Sequence, residues 1–463
     1  MSEIHRLGAA ELRAAYGSGE LSPVEVLNAL QAHIARWEPH LHALYAADAN
    51  AALVQARESE ARWLAGQPLS ALDGVPVTIK ENIATRGTPM PLGSAATELT
   101  PASADAPPAA RLREAGAVLL AKTTMPDYGM LSSGLSSFHA LTRNPWDLSK
   151  NPGGSSAGAA AAAAAGYAPL HIGTDIGGSI RLPAGWCGVV GLKPSAGRVP
   201  IHPPYIGRVA GPMTRCVADA AIAMQVLSQP DVRDATSLPI EAIDWLSLDL
   251  DLRGLKLGLW LDVGWGLPVE PETRHAIAAA ARAFEAAGAI VEPLAPFATR
   301  SMIEGLDRFW RMRLWAELCT LPAARRDAVL PYVRRWAEAA ATLGGADVFI
   351  GFSQIGALRD AAVSACAPYD FVLSPVSPVA AFAADAASPI DDPTRPFEHI
   401  AFTVAFNMSE QPSISVPCGF TSGGLPVGLQ ITGRRHADLA VLRLASAWER
   451  LRGPLRAAPL PPV

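Results

Sequence analysis

A chain of 463 residues, half of them hydrophobic and 17% charged, has enough apolar material for a sizeable core, which excludes wholesale disorder. The net charge of −5 is small and scattered, so no basic patch for nucleic acid is expected. Five cysteines, at 187, 216, 319, 366 and 418, form no C-x-x-C pair, which argues against a disulfide framework and a cysteine zinc site and for a reduced cytoplasm.

Residues 1–23 lack the basic and apolar regions of a secretory signal. Residues 3–67 read as helices: Ser22-Pro23 is an N-cap and first-turn pair, and Val26, Leu27, Leu30 and Ile34 form an apolar stripe behind it. At Leu72 the pattern changes to a turn followed by the β-branched run Val75-Pro76-Val77-Thr78-Ile79, which ends in Lys80 and reads as a buried strand. A helix begins at Arg111 and leads into the apolar strand Ala117–Ala121, a helix–strand order that suggests an α/β protein with a covered sheet. The longest apolar run, 157–165, is too short to span a bilayer. Residues 230–370 alternate amphipathic helices with strands such as Leu255–Leu261, and β-rich runs return near 373–378 and 413–417. No repeat or linker interrupts the chain, so one domain over 1–463 is expected.

Three segments hold residues suited to chemistry. Only five of the 38 basic residues are lysines (80, 122, 150, 193 and 256), so arginine serves the solvated surface. Lys80 instead closes an apolar run, where desolvation lowers its pKa and lets a neutral amine act as a base, as arginine cannot. A strand-capping lysine, or one paired with Glu81, is the structural alternative. The second segment is Pro152-Gly153-Gly154-Ser155-Ser156-Ala157-Gly158, entering an alanine run broken only by Gly158. It matches neither the P-loop nor the dinucleotide pattern. The third is Gly173-Thr174-Asp175-Ile176-Gly177-Gly178-Ser179-Ile180-Arg181, whose paired glycines let consecutive backbone N–H groups converge on one point. A plain glycine-rich turn is its alternative. S-x-x-K and H-E-x-x-H are both missing, which disfavours β-lactamase-like enzymes and zinc peptidases.

Together these segments resemble the amidase signature family, and the resemblance extends to Asn144-Pro145-Trp146, Cys187–Pro194, Phe406-Asn407, Gln411–Pro417 and Gly424–Gln430. It covers most of the chain outside roughly 230–370. It implies a central mixed, twisted β-sheet covered by helices on both faces. It also implies a helical segment over 1–67, a catalytic core over 68–220, a variable specificity region over 230–370 and a C-terminal part of the core over 371–450. Residue by residue, it implies Ser179 as nucleophile, Ser155 as bridging serine 24 positions earlier, and Lys80 as base, with Ser156 as second choice for the bridge. The backbone of Ile176, Gly177, Gly178 and Ser179 would form the oxyanion hole, supported by Thr174, Asp175 and Arg181. Glu81, Ala157 and Ser409-Glu410 depart from the usual family residues without removing a reacting group.

The pocket is sought in Met125–Ser133, with Met125, Gly129 and Met130 foremost, in Tyr205 and Arg208, and around Trp310, Trp315 and Trp336, although tryptophans more often pack than line pockets. The expected activity is hydrolysis of small aliphatic or aryl amides, with carbamates (urethanes) and esters as side substrates. No cofactor, metal, nucleic acid or membrane is expected, and a homodimer is left open. The nearest alternative is the glutaminase subunit of a tRNA-dependent amidotransferase. A non-catalytic binding module is a weaker one, because all three triad positions are filled.

Overall fold

The computed structural model describes residues 3–461. The first long helix, Pro23–Leu41, begins as its sequence dictates. Ser22 Oγ accepts the Glu25 N–H at 3.2 Å, while Glu25 Oε2 accepts the Ser22 N–H at 2.8 Å, a reciprocal cap with proline in the first turn. Val26, Leu27 and Leu30 are buried on its inner face. The reading of 3–67 as helical misses one short strand, Leu44–Tyr45, which pairs antiparallel at the sheet edge.

Eleven strands form one mixed sheet: β1 (Leu44–Tyr45), β2 (Pro76–Lys80), β3 (Val118–Thr123), β4 (Leu170–Asp175), β5 (Val190–Lys193), β6 (Val209–Thr214), β7 (Lys256–Leu259), β8 (Ile290–Pro293), β9 (Phe371–Pro375), β10 (Ser413–Phe420) and β11 (Pro426–Gly433). Their order across the sheet is β1-β3-β2-β4-β6-β5-β10-β11-β9-β7-β8. β2 runs parallel to both β3 and β4, and the 230–370 region contributes β7 and β8, which continue the sheet parallel to β9. That region is less regularly alternating than its sequence suggests, since beyond β8 it is helical as far as Cys366 apart from short connections. Among the described residues, no helix is long and apolar enough to cross a membrane.

The alanine run becomes a fully buried helix, Ala157–Ala164. Its lone glycine has a steric reason. A Cβ at Gly158 would stand 2.2 Å from the Ala43 carbonyl oxygen and 2.5 Å from Thr124 N, so the helix could not approach that backbone. The close approach lays the N-terminus of this helix, with Ser155 and Ser156, over the carboxyl ends of β2 and β4. In an open α/β sheet such an edge, where neighbouring parallel strands end, is a recurrent ligand site.

Candidate active site

Lys80 is the last residue of β2 and is fully buried. Its Nζ lies 2.8 Å from Ser155 Oγ and 3.1 Å from Ser156 Oγ. Burial pushes its pKa down to about 7; Asp175 and Glu81 oppose that shift, and the charge of Arg208 adds to it. The suggested pairing with Glu81 is not made: the Glu81 carboxylate accepts from Gly93 N and bonds His139 Nε2. Lys122 and Lys193 are also buried and also pushed down to about 7 by burial. They bond Ile83 O with Thr85 Oγ1, and Pro194 O, respectively, so only Lys80 faces serine hydroxyls.

The two serines differ in their commitments. Ser156 Oγ is engaged by Lys80, by the Thr174 N–H at 3.3 Å and by the Thr174 carbonyl at 3.2 Å, and its backbone N–H donates to Ser179 O at 3.1 Å. Ser155 Oγ bonds Lys80 alone and retains capacity for a further partner. Of the two hydroxyls, that of Ser155 is therefore the freer to take a further partner. The Gly154–Ser155 peptide is cis. Ser179 is 9% exposed and opens into a cavity; no hydrogen bond joins its hydroxyl to Ser155 among the described residues.

The loop 175–181 is held by a buried ion pair. Burial would raise the Asp175 pKa, but Arg181 and the donors around the carboxylate hold it below its usual range. Those donors are the backbone N–H groups of Gly178 (2.8 Å) and Ile180 (3.0 Å), the Arg181 guanidinium, and Asn407 Nδ2 (2.8 Å). The expected oxyanion donor set therefore needs a correction. The Gly178 N–H is spent on Asp175, whereas the N–H groups of Ile176, Gly177 and Ser179 have no backbone or side-chain acceptor among the described residues. Thr174 does take a supporting place, accepting from Asn82 Nδ2 at 3.0 Å while its backbone holds Ser156.

Three polar residues that sequence reasoning assigned no role complete this frame. Arg181 Nη1 donates to Thr403 O at 3.0 Å and Gln430 Oε1 at 2.8 Å, Arg181 Nη2 donates to Asn407 Oδ1 at 2.5 Å, and Thr403 Oγ1 donates to Gly177 O at 2.6 Å. A buried Asn or Gln inside an apolar run was the available signal, because such a group must have partners.

The cavity at Ser179 encloses about 570 Å³ including its mouth. Its walls are Gly129–Ser132, Ile176, Gly177, Trp310, Arg313, Tyr332, Ala387, Ser388 and Pro396–Ile400, Glu398 excepted. Gly129 and Met130 line it as expected, but Met125, Tyr205 and Arg208 do not. Met125 is buried behind Gly129, Tyr205 packs on Arg313, and Arg208 donates to the Pro203 carbonyl. Trp310 reaches the cavity; Trp315 joins the apolar cluster behind it and Trp336 is buried, donating to Asp307 at 2.8 Å. The 387–400 wall was not anticipated. It includes His399, 2% exposed, whose ring nitrogens both lack a partner and whose pKa burial pushes down to about 3, against the charge of Glu398. Among the described residues, no cluster of His, Cys, Asp or Glu could hold a metal ion.

The Amidase family model matches residues 25–442. The chain belongs to the amidase signature family. It is 37% identical to a glutamyl-tRNA(Gln) amidotransferase subunit from Myxococcus xanthus, over 95% of this chain and 96% of that protein. It is 36% identical to the subunit of the same name from Solidesulfovibrio magneticus, over 98% and 99%. Among solved structures, a bacterial aryl acylamidase of the family superposes with a TM-score of 0.89 at 31% identity, covering 97% of each chain. A peptide amidase from Stenotrophomonas maltophilia gives 0.85 at 28%, covering 99% of each. These two curated relatives carry the name of the second functional expectation, the amidotransferase subunit, rather than that of a small-amide amidase.

Proposed function

We propose that this amidase signature enzyme cleaves the C–N bond of an amide by acyl transfer, with Ser179 as nucleophile, Ser155 as proton bridge and Lys80 as base. The observation that carries this reading is a fully buried lysine with a pKa near neutrality, 2.8 Å from a serine beside the cavity that holds Ser179. Neutral Lys80 accepts the Ser155 proton while Ser155 accepts that of Ser179, which attacks the carbonyl carbon. The Ser155–Ser179 link closes as substrate binds, since catalytic hydrogen bonds commonly tighten only in the complex. The free N–H groups of Ile176, Gly177 and Ser179 receive the oxyanion, and loss of one such donor typically costs roughly a hundredfold to a thousandfold in rate. The relay returns a proton to the departing nitrogen, and water then attacks the acyl-enzyme through the same groups.

The cavity wall supports an amide with an apolar or aryl body, because Met130, Trp310, Tyr332, Phe397 and Ile400 are among the residues that line it. Carbamates and esters present a similar acyl carbon and are candidate side substrates. The sequence relatives favour the second reading, a glutaminase subunit, more strongly than they favour this one. Under that reading the partners would include further subunits and a tRNA-borne acceptor, so freedom from nucleic acid belongs to the first reading alone. Glutamine would bring an α-ammonium into the cavity, and no carboxylate lines it among the described residues.

The test is hydrolysis of an aryl anilide, an aliphatic amide, an aryl carbamate and glutamine by wild type and Ser179→Ala. Cleavage of any of the first three by wild type and not by the variant supports the free-standing amidase. Cleavage of glutamine alone moves the assignment to the amidotransferase subunit. Full activity in Ser179→Ala removes the proposed nucleophile.

A further inference from the structure

Arg313 stands on the helix Arg300–Cys319 and lines the same cavity as Ser179. Its guanidinium carbon lies 4.7 Å from the centroid of the Tyr205 ring, a stacking contact that orients the group without using its in-plane donors. Those donors are almost idle: Nε is buried without a partner, and Nη2 reaches only the weak acceptor Met130 Sδ at 3.6 Å. Arg208 lies near enough for the two positive charges to oppose each other; its own Nε and the Tyr205 hydroxyl are likewise buried and unpartnered.

Neither arginine forms an ion pair among the described residues. The acids that act on them through space, Glu317 on Arg313 and Asp234 on Arg208, lie beyond salt-bridge distance. Asp234 is also already committed to Ile201 N and Thr236. The contrast is local. Arg311, two residues earlier on the same helix, is paired with Asp307 at 2.7 Å, and the buried Arg181 and Arg198 are both paired. Arg215, which has no ion pair among the described residues, donates instead to the carbonyls of Ala168 and Leu7. Arg313 at the cavity and Arg208 behind it, by contrast, lie close together without an ion pair and with idle donors, and a planar guanidinium fork matches a carboxylate.

We infer that Arg313, backed by Tyr205 and Arg208, forms a subsite for a carboxylate carried by the amide substrate at a distance from the scissile bond. The subsite rests on the proposed amide hydrolysis and narrows its substrate class: the aromatic wall takes the apolar body, and the arginine takes an anionic end. His399, with both ring nitrogens unused, is a further buried polar group in the cavity wall.

The experiment compares kcat/KM within two matched pairs, in wild type, Arg313→Gln and Arg313→Lys. The pairs are valeryl-4-nitroanilide against glutaryl-mono-4-nitroanilide, and acetanilide against 4-acetamidobenzoate. The expected result is a preference for the carboxylate member of one pair by roughly tenfold to a hundredfold, the range of a charged hydrogen bond. The glutamine variant should abolish that preference, the lysine variant should retain part of it, and added salt should weaken it. Cleavage without a carboxylate preference in either pair, or a preference that survives Arg313→Gln, overturns the subsite. If no amide is cleaved, the proposed function falls, and calorimetric titration with benzoate against benzyl alcohol judges the subsite alone. Benzoate binding that Arg313→Gln removes then supports it; absent binding, or equal binding by both proteins, overturns it.

Discussion

Replacing Lys80 with methionine keeps most of the buried stem and deletes the amine, so it separates the chemical role of this residue from its structural cost. With the folded-state pKa at about 7, roughly 1% of Lys80 is neutral at pH 5 and about 90% at pH 8, one decade of ratio per pH step. The rate of Ser179 acylation should therefore climb nearly tenfold per pH step between 5 and 6 and level off above about 8. The stability consequence has the opposite sense to that of a salt-bridged lysine. Between the folded value near 7 and the unfolded value near 10.5 the unfolded chain holds a proton that the folded chain lacks, so stability rises with pH across that window. Lys80 thus opposes folding at neutral pH by an amount on the order of several kcal/mol, at about 1.4 kcal/mol for each tenfold. Lys80→Met should accordingly be inactive yet more resistant to urea at pH 7, with a smaller gain in stability from pH 7 to 9 than wild type. Stopped-flow labelling with a fluorophosphonate across pH 5–9, together with urea titrations at pH 7 and 9, measures both halves. Labelling that is flat or falling from pH 5 to 8, with the protein folded throughout, would refute the neutral-amine argument, as would wild-type labelling in Lys80→Met.

Two glycine substitutions test the packing around the site. Gly158→Ala places a methyl 2.2 Å from the Ala43 carbonyl oxygen, and overpacking of this kind costs about 1–3 kcal/mol or more; thermal melting should show a marked drop despite alanine's better helix propensity, and an unchanged melt would contradict the close approach. At Gly177 the added methyl would meet Trp310 Cη2 at 3.3 Å and Ile400 Cδ1 at 3.4 Å, so Gly177→Ala should fold normally while raising KM for bulky anilides more than for acetamide. Equal effects on both substrates would place that wall away from the substrate.

Much of the site was readable because its chemistry depends on local order. Burial of Lys80 followed from its place at the end of a β-branched run, and the glycine spacing of 173–181 marked a loop with converging N–H groups. The bounds of 111–121 were less well read. The helix runs from Pro107 to Glu114 and the strand from Val118 to Thr123, because sheet pairing with β2 carries the strand through polar Lys122 and Thr123. The short β1 was invisible for a similar reason, as two residues become a strand only when β3 lies beside them.

The sequence by itself determined the candidate reacting groups, since serine, lysine and glycine at those positions state what each can donate, accept or leave open. Only the tertiary structure decided which of those groups are free to react. Ser156 is tied down by Thr174 and Ser155 is not, and the Gly178 N–H is taken by Asp175 while its neighbours are left open. The 387–400 wall and the unpaired Arg313 also emerged only there. Whether a polar group is already satisfied depends on partners brought from hundreds of residues away, and chain order carries no record of which ones arrive.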